Sequence, residues 1–281
     1  MRDASVFAVI LVFTMVFTIV APLMAQDLDA PRPIDALDTV WIEEMTWMEV
    51  RDALADGKTT VIVAAASLEQ NGPYIPTAKH AYVLRATTEA IARKLGNALI
   101  APLVRFEPGN PESPRYPGSI PVRMETYKAI LVDVASSLKQ HGFRNIVLIG
   151  DSGGNQRGLQ EVAEELTAAW SGGGTAIYFV REYYDSWQAS DAAVEQITGK
   201  AEVPEGIHDD YSVTSIIMTV DPQAVRYDQR VAANRASING ISIIPKEQTI
   251  ANGRKLVDIR ANATVQAILR MVGEAGGGRQ Q

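Results

Sequence analysis

The stretch "NIVLIGDSGGNQRG", Asn145 to Gly158, decides the fold. Its first part, Ile146 to Ile149, is apolar without alternation, as a strand covered on both faces must be. The Gly-rich turn Gly150-Asp151-Ser152-Gly153-Gly154 follows. After it, Leu159, Val162, Ala163, Leu166 and Ala169 recur at three- and four-residue steps among Glu161, Glu164 and Glu165, the spacing of an amphipathic helix. A buried strand, a Gly-rich turn and a helix make a βα unit of an α/β protein.

The same turn spells the surroundings of the nucleophilic serine in chymotrypsin-like proteases, but those are all-β and hold their serine between strands. A triad also needs a histidine with an acidic orienter. The chain has only His80, His141 and His208, none in such a setting. His141, beside Gly142 at a helix end, has a structural role there.

Outward from this unit the alternation continues. "TTVIVAAAS" (Thr59 to Ser67) and "ALIAPLV" (Ala98 to Val104) read as buried strands, with a helix from Tyr82 to Leu95 between them. "METYKAILVDVASSLKQHG" is an amphipathic helix, and "MTWMEVRDALADGK" is another, with Thr46 as N-cap and Gly57 closing it. "TAIYFVREYY" reads as a fourth strand. "TSIIMTVDP" fits a strand or a short helix, and a last helix is expected over Ala261 to Val272. The expected fold is α/β, a mostly parallel central sheet with helices on both faces. Ligands of such sheets sit at the carboxyl ends of the strands, where Glu69, His80, Asp151 and Ser152 all follow. The loop "RFEPGNPESPRYPGSIPV" is long enough to be functional, as a cover over the substrate or a subunit contact. Trp41, Trp47, Trp170 and Trp187 read as core or interface residues, with a pocket wall as the alternative for Trp187.

The 281 residues carry a formal net charge of −7 and no basic stretch, so nucleic acid is not an expected partner. Arg2, the apolar run from Val6 to Val20 and the small residues before Gln26 predict a signal peptide over 1–25, cleaved after Ala25. An uncleaved membrane anchor is the alternative. Export to the periplasm or the medium follows, with no stable membrane association after cleavage. Cysteine is absent, so there are no disulfides and no thiolate metal ligands. Residues 26–40 read as a linker, 41–272 as the α/β domain and 273–281 as a flexible tail.

Five pieces in order resemble the creatininase (creatinine amidohydrolase) family: "MTWMEVRDAL", "SLEQNGPYIP", "RYPGSIPV", "HGFRNIVLIGDSGGN" and "HDDYSVTSIIM". The resemblance implies hydrolysis of a small cyclic or linear amide at a two-metal centre of zinc or manganese, with a bridging carboxylate and a histidine that protonates the leaving nitrogen. It also implies a homo-oligomer, hexamers being common. Against that pattern Glu69 retains a ligand position, Asn71 replaces a ligand histidine and His80 stands where the bridging aspartate is expected. Ser152 replaces the second histidine and Val213 a ligand glutamate, while His208 keeps the proton-transfer position. Valine cannot bind a metal, and neutral Asn and Ser are poor zinc ligands.

Three readings remain open. In the first, a rebuilt divalent-metal site uses Glu69, His80 and Asp151 as ligands, with His208, Asp209 or Asp210 as a further ligand or proton carrier and Asn71 and Tyr211 against the substrate. In the second, the chain is a catalytically degenerate small-molecule binding protein. In the third, Ser152 is a nucleophile with His80 as base and Glu69 as orienter, although the Gly-x-Ser-x-Gly elbow is missing.

Overall fold

The structure, a computed structural model, describes residues 27–277. The expected signal peptide and the last four residues of the expected tail lie outside the described residues. The chain divides between Pro33 and Ile34. Before the division, Asp27 closes a turn by accepting from the amides of Asp29 and Ala30. The α/β body belongs to the part from Ile34 onwards.

Its helices are α1 (Trp47–Ala55), α2 (Lys79–Leu95), α3 (Met124–Gln140), α4 (Gln156–Ala169), α5 (Arg181–Asp185), α6 (Trp187–Thr198), α7 (Tyr211–Val220), α8 (Tyr227–Ala232) and α9 (Lys246–Gly277). Its strands are β1 (Thr60–Ala65), β2 (Ala98–Ile100), β3 (Asn145–Gly150), β4 (Ala176–Phe179) and the two-residue pair β5 (Ser237–Ile238) and β6 (Ile241–Ser242). The main sheet is parallel, in the order β2-β1-β3-β4.

The unalternating runs are explained by helices on both faces. Ile62, Ala64, Val147 and Ile149 pack with Leu84 and Ile91 of α2 and Val265 and Ile268 of α9. Val61, Val63, Ile146 and Leu148 pack on the other face with Leu131 of α3 and Leu159 and Val162 of α4. Thr46 caps α1 as expected, in a reciprocal capping box with Glu49.

Several bounds differ from the sequence reading. α2 starts at Lys79 rather than Tyr82, because His80 continues the buried stripe of Leu84, Thr88 and Ile91 back one turn. "TSIIMTV", open between strand and short helix in the sequence, lies in the helix α7; its apolar residues pack against α2 and α9. The fourth strand stops at Phe179, and "REYY" turns into α5. α9 begins 15 residues before the expected Ala261 and runs to Gly277, because Leu256, Val257, Ala261, Val265 and Ile268 form one buried stripe.

Two glycines mark where backbones converge on the site. A Cβ on Gly150, the last residue of β3, would lie 2.6 Å from Leu159 of α4. One on Gly253 of α9 would lie 2.1 Å from the Ser215 carbonyl of α7. That close crossing carries the middle of α9 to the strand ends. Ala65 of β1 pairs with Gly150 of β3, and the Asp151 amide donates to the Ala65 carbonyl at 3.0 Å, so the loops after both strands start side by side. Among the described residues, no helix is long and apolar enough to cross a membrane.

Candidate active site

Five buried or nearly buried side chains alternate in sign along one line at the strand ends. Lys79 Nζ lies 3.4 Å from Glu69 Oε1, and the same oxygen lies 2.7 Å from His80 Nε2. His80 Nδ1 lies 2.6 Å from Asp151 Oδ2, and Asp151 Oδ1 accepts from Arg260 at 2.7 Å. Tyr183 adds an O–H donor to Asp151 at 3.0 Å and lies beneath the Arg260 guanidinium. The residues come from the loop after β1 (Glu69), the first turn of α2 (Lys79, His80), the residue after β3 (Asp151) and α9 (Arg260).

A helix N-terminus disfavours cations, by about 0.3–1 kcal/mol each at exposed sites. Burial disfavours them further. Against this, hydrogen bonds to charged groups contribute about 1.5–3 kcal/mol each, and His80 makes two. Burial and Lys79 push the His80 pKa down, but the bonds to Asp151 and Glu69 outweigh them and raise it. Burial pushes Glu69 up, yet His80, Lys79 and His208 hold it at about 2. Asp151 is likewise held well below the usual carboxylate range by Arg260 and His80, against its burial. Glu69 and Asp151 are therefore carboxylates at neutral pH, His80 is drawn toward its imidazolium form by a carboxylate at each ring nitrogen, and Arg260 is charged; burial lowers the Lys79 pKa against the pull of Glu69 and Asp151.

His208 stands at the mouth of the same site. Its Nδ1 lies 2.9 Å from Asn71 Oδ1 and 3.4 Å from Glu69 Oε1. Asn71 Nδ2 donates to the carbonyls of Glu69 and Pro76, which fixes the orientation of its amide. Asn71 Oδ1 is therefore an acceptor, and the proton sits on His208 Nδ1. Nε2 carries the lone pair. Burial and the charge of Lys79 lower the His208 pKa, so the ring is neutral at pH 7. A left-handed backbone, φ 58°, holds the residue there.

The remaining candidates divide. Asp210 lines the cavity and caps α7 by accepting from the Val213 amide at 2.7 Å; burial pushes its pKa up to about 7. Asp209 points the other way. It is fully buried, with Arg230 Nη1 at 4.0 Å, and is neither ligand nor proton carrier for this cavity. Tyr211, expected against the substrate, is a core residue whose hydroxyl accepts from Asn252. Asn71 braces the loop and His208 rather than lining the cavity. Ser152 caps the short 3-10 turn before α4 and donates to Glu107 Oε2 at 2.5 Å. Both His80 nitrogens are taken by carboxylates, so His80 is no base for Ser152, which corrects the serine-nucleophile reading. His141 is the C-cap of α3, as expected.

Glu69, Lys79, His80, Asp151, Ser152, His208, Asp210 and Arg260 line a cavity of about 520 Å³, together with Val213, Tyr184, Trp187, Ser190 and Asp191. Sequence reading missed Lys79, Glu107, Tyr183, Asp191 and Arg260.

The profile of the Creatininase family, creatinine amidohydrolase, matches residues 43–268. The chain belongs to the creatininase family. Creatinine amidohydrolase of Pseudomonas putida is 22% identical over 221 residues, covering 74% of this chain and 82% of that enzyme. A 3-dehydro-scyllo-inosose hydrolase of Thermotoga maritima is 27% identical over 115 residues, which span 41% of this chain and only 36% of that enzyme. A crystal structure of creatinine amidohydrolase covers 85% of this creatininase-family chain at 19% identity with a TM-score of 0.58, which shows the shared fold. A manganese creatininase gives 20% identity over 84% of this chain with the same TM-score, and a variant of Zn-Zn type gives 0.56.

The zinc and manganese of those creatininases do not fit the donors of this member. Glu69, His80 and Asp151 converge as expected, but they do so by binding one another. The two imidazole nitrogens diverge, so the carboxylates lie on opposite sides of the ring and one ion cannot take all three at bonds of about 2.0–2.2 Å. Lys79 and Arg260 hold the carboxylates as well. Val213 and Ser152 supply no charge at the positions where the resemblance expects glutamate and histidine. Among the described residues no group of three His, Cys, Asp or Glu is placed to hold an ion. This corrects the expected ligand set of Glu69, His80 and Asp151.

Proposed function

We propose that this creatininase-family chain hydrolyses a small amide, with side-chain cations rather than divalent ions supplying the positive charge of the site. The observation that carries the reading is His208: a neutral imidazole, its tautomer set by Asn71, lining the mouth of the polar cavity. In this reading Nε2 takes a proton from the attacking water and returns it to the leaving nitrogen. The Lys79 ammonium, buried beside Glu69, stabilises the oxyanion that develops on the amide carbonyl. His80 has both nitrogens occupied, so its part is to fix Glu69 and Asp151 and add positive charge. Export through cleavage near Ala25 and assembly into a homo-oligomer belong to the same proposal, and rest on the N-terminal sequence and the family.

The test is release of ammonia or amine from a panel of cyclic and linear small amides by the purified protein. Turnover is expected to fall at least about 100-fold in His208→Gln, within the range of general acid–base contributions. An unchanged rate in that variant would remove His208 from the reaction. A second reading, ligand binding without turnover, is favoured by the mutual saturation of Glu69, His80 and Asp151. It takes precedence if members of the panel bind and none is cleaved.

A further inference from the structure

The cavity has two unlike ends. At one end the carboxylates Glu69 and Asp151 are neutralised by Lys79, His80 and Arg260. At the other, Asp191 and Asp210 converge on one hydroxyl: Ser212 Oγ lies 2.6 Å from Asp191 Oδ1 and 3.1 Å from Asp210 Oδ1. One hydroxyl proton serves only one of the two at a time, and although Asp210 also accepts from the Val213 amide, Asp191 has no other hydrogen-bond donor among the described residues. Among the described residues, no Lys, Arg or His forms a direct ion pair with either acid; Arg260 acts on Asp191, and Lys79 on Asp210, only through space. Burial of two such acids without a directly bound cation is costly, and it raises the pKa of both.

A second, independent feature lies at the same end. Ser190 is 2% exposed and lines the cavity, and its hydroxyl has no hydrogen-bond partner. Buried hydroxyls in native proteins are paired, so an unpaired one on a residue that lines the same cavity as the two acids marks a place for a donor. Trp187, 42% exposed, lines the same wall and offers an aromatic surface to a cation.

We infer that Asp191, Asp210 and Ser190 form a subsite for a primary ammonium group, so that the amide this protein acts on also carries a protonated amine. An ammonium presents three N–H donors, which the two carboxylates and the Ser190 oxygen accept. The inference rests on the amide-hydrolase reading for the other end of the ligand, where Lys79 and His208 face the carbonyl and the leaving nitrogen. A cavity of about 520 Å³ admits a small molecule that spans both ends.

The experiment is calorimetric titration of the full-length protein with n-butylammonium, 4-aminobutanamide and pentanamide, the last replacing the ammonium by a methyl group. Asp191→Asn, Asp210→Asn and Ser190→Ala are titrated in parallel. Asparagine caps helices as well as aspartate does, so Asp210→Asn keeps the start of α7. The expected result is 4-aminobutanamide binding about tenfold or more tighter than pentanamide, with butylammonium binding weakened at least about tenfold by Asp191→Asn and measurably by Ser190→Ala. Equal binding of the two amides, no binding of butylammonium, or equal binding to wild type and Asp191→Asn overturns the subsite. If butylammonium binds through Asp191 while neither amide is cleaved, the subsite stands and the hydrolase reading fails. Cleavage with no preference for the amino-amide gives the converse.

Discussion

Replacing Arg260 by methionine keeps the length of the side chain and removes its charge. Arg260 and Asp151 are each 6% exposed, and their contact is 2.7 Å. Removing one partner of a buried ion pair costs about 3–5 kcal/mol, because the other charge stays buried. Asp151 keeps His80 and the Tyr183 hydroxyl, which places the loss at the lower end of that range. At about 2–4 °C per kcal/mol for a body of this size, the melting temperature falls by roughly 6–12 °C for a loss of about 3 kcal/mol. Urea unfolding at pH 7 measures the free energy directly. Arg260→Lys keeps the charge but loses the stack on Tyr183 and the bond to Ser186, and falls between the two. Asp151→Asn combined with Arg260→Met recovers part of the loss, since no charge is then stranded. A loss under about 1 kcal/mol in Arg260→Met, the range of exposed pairs, would refute the buried, ionised pair.

The pH dependence follows from the same line. Glu69 falls from 4.5 to about 2 on folding, so its contribution is complete above about 4.5 and is lost as pH falls through about 2. His80 is raised above 6.5, so its contribution is complete below 6.5 and is lost as pH rises through its folded value. Urea midpoints are expected to be highest between about pH 4.5 and 6.5; a monotonic rise to pH 8 contradicts the His80 imidazolium. Dialysis against a strong chelator is expected to leave the melting temperature and any turnover unchanged, and elemental analysis to find zinc and manganese well below one ion per chain; a stoichiometric ion would restore the metal reading. Ser152→Ala is expected to keep turnover and to cost about 1 kcal/mol as a lost cap, measured by thermal unfolding; abolished turnover in a folded variant would bring back the serine nucleophile.

The sheet was legible because strands covered on both faces lose all alternation, and Val61 to Ala65 and Ile146 to Ile149 do so without exception. The convergence of Glu69, His80 and Asp151 was legible for a related reason: loops that leave adjacent parallel strands open on one rim. The cations that complete the site were not. Lys79 and Arg260 look like ordinary helix-surface residues until the bounds of α2 and α9 are known. A signal existed for Arg260, which falls at i+4 from Leu256 and i−4 from Thr264, both fully buried. Placing the start of α9 at Ala261 hid it by one residue. Glu107 was concealed by the irregular loop that carries it, which has no periodicity from which a direction can be read. Asp209 and Asp210 are neighbours with opposite surroundings, and only the turn at His208 decides which one reaches the cavity.

Asp151 and Arg260 are 109 positions apart in the chain. A ribosome adding about 5–20 residues per second therefore presents Asp151 roughly 5–20 s before its counter-ion exists. In that interval the strand core can collapse, but sealing Asp151 inside it would leave a carboxylate with only His80 and the Tyr183 hydroxyl. The rim must stay hydrated until α9 arrives, so the last long helix to be synthesised is also the one that closes the site.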